Sequence, residues 1–210
     1  MLWKWFIDIG HTAVMLPLAA AIAGSLMAGR AWKLALCWSS MFGTGLVLVA
    51  LSKIAFLGWQ TGLPALAFKA LSGHVLCASA VLPVLCFVVQ QGWSAALRWT
   101  GVAAGALLAL GIGALIVKFD FHSVSEVIAS LVLGGSISSG YMWIATVMPA
   151  PRTGRSSLSF GIIVFVCVFA LKPSVINHRL VDVALHLSGR DYPFEWHRRA
   201  TCEAAHPSNG

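Results

Sequence analysis

A chain of 210 residues that is 59% hydrophobic and 10% charged, with a mean hydropathy of +0.85, carries too few charges to cover a water-facing surface. That excludes a soluble globular domain and predicts an all-α, polytopic integral-membrane bundle of about six transmembrane helices, at roughly 20 residues per span. The net charge of +7 comes from Lys and Arg scattered between apolar runs; with no basic stripe of interleaved aromatics, nucleic acid is excluded as a partner and the membrane is retained.

In chain order, residues 7–29 form the first apolar run, behind an interfacial anchor at residues 1–5. The run is longer than the h-region of a signal peptide and reads as a retained span. After a turn marked by Arg30 and Lys33, residues 34–51 form the second span, closed by Lys53. Residues 54–69 contain Gly58, Trp59, Gly62 and Pro64, too broken for a span and suited to an interfacial or re-entrant segment. The third span is 72–89. Arg98 introduces the fourth, 99–117, in which Gly101 and Gly105 have the spacing that lets helix backbones approach. The fifth, 123–147, has Gly134, Gly135 and Gly140 for a second close contact. A turn at 149–155 leads to a short sixth span, 158–171. The chain thus divides into a bundle at residues 1–172 and a polar C-terminal tail at 173–210, with a weak amphipathic stretch at 175–187. Cys37, Cys77, Cys86 and Cys167 lie in apolar runs at no metal-ligand spacing and read as small core residues, and Cys202 lies in the tail. No metal and no cofactor are expected.

Two polar islands interrupt the apolar pattern, Lys69-Ala70-Leu71-Ser72-Gly73-His74 and 118–126, each at the start of an apolar run. The span count places Lys53, His74 and His122 at one face of the membrane. The opposite connectors hold Arg30, Lys33, Arg98, Arg152 and Arg155 with no Asp or Glu, so the positive-inside rule puts the histidine face outside, which in a bacterial inner membrane is the periplasm. A His four residues before a Glu on a helix shares a face with it. In that geometry Glu126 fixes the tautomer of His122 and leaves the second ring nitrogen free as a nucleophile. Ser72 and Gly73 open a helix whose N–H groups suit an oxyanion, His74 suits the protonation of a leaving oxygen, and Lys53 and Lys118 supply positive charge. A phosphate group fits this inventory. Read blandly, the lysines are snorkelling anchors and the histidines sit in the headgroup layer, but a carboxylate in the first turn of an apolar span is costly unless paired. His11 has no partner recognisable from the sequence, and the tail histidines read as solvated.

The order and spacing of these strings, over residues 53–135, resemble the integral-membrane branch of the type 2 phosphatidic acid phosphatases, relatives of the vanadium haloperoxidases and bacterial acid phosphatases. That family carries K-x6-R-P, then P-S-G-H, then S-R-x5-H-x3-D. Leu71-Ser72-Gly73-His74 is similar to the second motif, and the stretch ending in His122-Ser123-Val124-Ser125-Glu126 to the third, with Glu for Asp. The resemblance implies a lipid-phosphate substrate, a phosphohistidine on His122, Glu126 as its orienting acid, His74 as the acid for the leaving alcohol, and Lys53, Ser72 and Gly73 as phosphate ligands. Two departures stand out. Gln60-Thr61 occupies the place of the first motif's Arg-Pro and Leu115-Ile116 that of the third motif's Ser-Arg. Each missing arginine removes a charge-assisted fork on the phosphate, an effect on the order of 10²-fold in rate by analogy with loss of an oxyanion donor, and Lys118 supplies only a point charge. The sequence therefore leaves two readings, a divergent lipid phosphatase and a non-catalytic lipid-phosphate binder or structural protein on the same scaffold.

Overall fold

In the computed structural model, residues 10–149, 155–171, 176–190 and 192–194 are described. The expected anchor at 1–5, the centre of the turn at 149–155 and the tail from 195 onward lie outside the described residues. The fold is all-helical, with helices α1 (Thr12–Ala28), α2 (Trp32–Trp59), α3 (Gly73–Val89), α4 (Ala95–Lys118), α5 (Val124–Val147), α6 (Arg155–Ala170) and α7 (Ile176–Ser188). Three of these, α2, α4 and α5, are long and apolar enough to cross a membrane, and α1, α3 and α6 are shorter apolar helices. Large apolar side chains point outward along them, such as Leu107, Val132 and Ile162, each about two-thirds exposed. An outer surface of this kind fits a protein associated with a membrane.

Helix α3 is the centre of the bundle. Every residue from Val75 to Val84 is buried, and α3 packs against α4, α5 and α1. Two glycines allow this. A Cβ on Gly105 of α4 would stand 2.9 Å from the Leu82 carbonyl oxygen of α3, and one on Gly134 of α5 would stand 2.6 Å from the Leu76 carbonyl oxygen. The expected packing role of Gly105 and Gly134 is therefore met by backbone-to-backbone approach. Gly135, by contrast, faces open space, and Gly101 meets only the side chain of Gln90. On the far side, α6 packs along α1 and α7 against α2. The Trp38 indole N–H donates to the Ala19 carbonyl at 2.9 Å and ties α2 to α1. Of the four cysteines expected in the core, Cys77 is buried and Cys167 is exposed, because α6 has α1 on one side only.

One boundary differs from the sequence expectation in a way that matters for the site. Lys53 does not close α2, which continues through residues 54–59 to Gln60, a left-handed C-cap at φ 60°. Lysine is a good helix former and its half-buried stem lies along the helix, so it interrupts nothing. The helix ends at that cap, and Pro64 then keeps the residue before it extended, as Leu63 is. A turn of 3-10 helix, Pro64–Leu66, and paired main-chain bonds between Leu63 and Phe68 then fold the connector back on itself.

Candidate functional site

The connector 63–72 is held in place by side chains of α2 and α5. The Ser125 hydroxyl donates to the Leu66 carbonyl at 2.7 Å, and Glu126 Oε1 accepts from the Lys69 N–H at 2.8 Å. Ser52 Oγ accepts from the Leu71 N–H, and Ser130 Oγ accepts from the Ser72 N–H at 2.8 Å while donating to the Glu126 carbonyl. Buried backbone groups require partners. Here two hydroxyls and the carboxylate of α5, with one hydroxyl of α2, provide them.

His122 is fixed from both sides. Helix α4 ends in a Schellman motif: Asp120 stands in the left-handed region at φ 57°, its N–H bonds to the Val117 carbonyl, and the Phe121 N–H bonds to the Ile116 carbonyl. Asp tolerates this conformation better than most residues. Three residues later α5 opens with a capping box, in which Ser123 Oγ accepts from the Glu126 N–H and Glu126 Oε2 accepts from the Ser123 N–H. Ser-x-x-Glu ahead of an apolar run is a sequence signature of this motif, and it identifies a second task for Glu126.

Between these caps, His122 Nδ1 lies 2.7 Å from Glu126 Oε2, with the imidazole about a quarter exposed and the carboxylate nearly closed off. An ionised carboxylate only accepts, so Nδ1 carries the proton and Nε2 is the ring's free nitrogen. Glu126 thus gathers three donors, from His122, Ser123 and Lys69, on two oxygens. The nucleophile-and-orienter geometry expected from the four-residue spacing is present.

His122 and Glu126 line an open cavity of about 550 Å³ together with Lys53, Lys69, Asp120 and Ser123; its remaining wall is Phe56, Leu57, Ala67, Ala70, Phe121, Leu180 and Val181. Lys53 and Glu126 are within electrostatic reach of one another. Of the residues singled out in the sequence, Lys53, His122 and Glu126 therefore meet at one cavity. His74 does not form part of its wall. It lies edge-on against His11, ring centroids 4.9 Å apart, within electrostatic reach of His122 and Lys53. Ser72 is fully buried, its hydroxyl makes no hydrogen bond in the structure and its N–H is taken by Ser130, so neither group is presented to the cavity. Gly73 begins α3 beside Val49.

Lys118 requires a correction. It belongs to the last turn of α4 and lines a separate groove with Leu107, Gly111, Ala114 and Leu115, so it does not join the cations around His122. Four residues separate it from His122 in sequence, but the Schellman turn between them reverses the chain.

Four residues at or beside the site carry no sequence motif that assigns them a role there. Lys69 faces the same cavity as Lys53, and His11, which caps α1 by accepting the Ala13 N–H on Nδ1 at 3.1 Å, meets His74. Leu180 and Val181 come from α7, in the region expected to be a polar tail.

Over 154 residues the chain is 34% identical to a Klebsiella pneumoniae protein described as an uncharacterized 22.5 kDa protein in cps region, the match covering 73% of this chain and 74% of that protein. This chain belongs to that protein's family. No family model matches the chain, and no solved structure matches it. In this chain the cavity around His122 is accordingly defined by its own geometry. Among the described residues no group of three or more His, Cys, Asp or Glu is placed to hold a metal ion. The groups gathered at the cavity are an imidazole hydrogen-bonded to a carboxylate and two lysines.

Proposed function

We propose that the chain is a membrane lipid-phosphate phosphatase that hydrolyses a phosphomonoester or pyrophosphate of a lipid through a phosphohistidine. The observation that carries this reading is the 2.7 Å contact of His122 Nδ1 with a shielded Glu126, at a cavity that also holds Lys53 and Lys69. In the first step Nε2 of His122 attacks phosphorus, the P–O bond to the lipid breaks, and the leaving oxygen takes a proton relayed through water from His74, which lies behind the wall within electrostatic reach of His122. In the second, water cleaves the P–N bond and its proton returns to His74, releasing inorganic phosphate and restoring both imidazoles. Lys53 and Lys69 offset the phosphate charge where the resembled family uses arginines. The purified protein, offered phosphatidic acid, phosphatidylglycerophosphate and a polyprenyl pyrophosphate, is expected to release inorganic phosphate from at least one. Release from none sinks the hydrolase.

The absence of both motif arginines supports a second reading, a protein that binds lipid phosphate without turning it over. Tight binding of the same lipids with no phosphate release selects it.

The reading includes a topology. We place six spans, α1 to α6, across a bacterial inner membrane, with Lys53, His74 and His122 at the periplasmic face and Arg30, Lys33 and Arg98 at the cytoplasmic one. Gly92, in the α3 to α4 connector, and Thr61, after α2, are both exposed. In a background lacking the native cysteines, Thr61→Cys is expected to react with an impermeant thiol reagent in spheroplasts, and Gly92→Cys only after lysis. The opposite pattern inverts the protein.

A further inference from the structure

The cavity has two chemically different ends, and only one is accounted for by phosphate. Lys53, Lys69 and His122 suit an anion. Phe56, Leu57, Phe121, Leu180 and Val181 face the same space, and an apolar wall offers nothing to a phosphate oxygen while excluding the water that would solvate it. Two of these side chains come from α7, which the fold takes some trouble to place. Residue 58 is glycine where α7 crosses: a Cβ there would stand 3.2 Å from the Ser188 Cβ and 3.4 Å from the Ala184 carbonyl oxygen, and Ala184 is fully buried. Just beyond α7, the Phe194 N–H donates to the Leu57 carbonyl at 3.0 Å, and the Phe194 ring packs edge-on against Phe56. The stretch of α2 that carries Lys53 is thus the seat of α7, and the seat joins the cation to the apolar wall.

We propose that α7 is the tail-binding wall of this site: Leu180 and Val181, with Phe56 and Leu57, hold the first part of an apolar chain attached to the phosphate, so that the site selects a tailed phosphate over a water-soluble one. This rests on the functional reading above and names the element that decides its substrate class. It assigns to residues 176–188 a part in recognition, whereas the polar composition of the tail marks them as peripheral.

The test is equilibrium binding to the full-length chain in detergent, with dioctanoyl phosphatidic acid as the tailed probe and glycerol 3-phosphate as the untailed one. The wild type is expected to bind the tailed probe at least about tenfold more tightly, and the double variant Leu180→Ser/Val181→Ser to lose about tenfold for that probe alone, the scale of one or two apolar groups in a pocket. Gly58→Leu, which wedges α7 from its seat without touching the cavity lining, is expected to do the same. Equal weakening of both probes, an unchanged preference in both variants, or no preference in the wild type overturns the proposal. Tail-dependent binding without phosphate release leaves it standing and removes the hydrolase. Equal turnover of tailed and untailed substrates removes it and leaves the hydrolase.

Discussion

His122→Ala is expected to lower phosphate release by about 10⁴-fold or more, the scale seen when a member of a nucleophile-and-base unit is removed. Among the described residues of the cavity, His122 is the one imidazole, and a carboxylate holds it. The loss must also appear in the covalent intermediate. After rapid quench in base, label from a labelled lipid phosphate is expected on the wild type, more slowly on His74→Ala, where leaving-group protonation is impaired, and not on His122→Ala. The label should be acid-labile and base-stable, as a phosphohistidine is and a phosphoserine from Ser123 or Ser125 is not. Label persisting in His122→Ala moves the nucleophile elsewhere. Because the bonds of Glu126 to the Lys69 and Ser123 N–H groups do not involve the imidazole, they survive its removal and the fold is expected to persist.

Glu126→Gln is expected to be the most damaging conservative change, for two reasons that separate by measurement. The amide removes the charge that supports a developing imidazolium, worth up to about 10⁴-fold in kcat by analogy with the same exchange in a catalytic triad, with KM less affected. It also has one acceptor oxygen where the native residue offers two to the His122, Ser123 and Lys69 donors. One buried donor then faces an NH₂ group, a loss of about 1–3 kcal/mol read as a lower unfolding midpoint in detergent. Glu126→Asp repairs the charge and not the reach. One methylene short, it holds either His122 or the Lys69 connector, so it should recover only part of the rate, against the full tolerance that the Asp of the resembled family implies. An unchanged rate in Glu126→Gln would leave this carboxylate as a helix cap and connector clamp alone.

How much of this was legible in the sequence depends on whether the information is local. The helix order follows directly from the apolar runs, and the His122–Glu126 pair from a four-residue spacing on one helix. The end of α2 is not legible at Lys53, because a lysine stem packs along an apolar helix without breaking it. The capping role of Glu126 is local, encoded in Ser123-Val124-Ser125-Glu126. Lys118 is near His122 in sequence, but a helix end followed by a left-handed residue sends neighbours in different directions. The contact of His11 with His74 joins positions on different helices, and no local pattern encodes it. The same holds for α7: its amphipathic pattern predicts a helix with something to bury, and only packing says that the something is the end of α2.

The two walls of the cavity are secured in unequal ways. The connector side is fastened to α2 and α5 through the hydroxyls and carboxylate of Ser52, Ser125, Glu126 and Ser130, and opening it means breaking several hydrogen bonds at once. The α7 side rests on side-chain contact and the main-chain bond from Phe194 to Leu57. Local opening follows the path of fewest buried interactions. Breathing of the site therefore falls to α7, and on the proposed reading the helix that holds the apolar tail is also the one whose opening admits it.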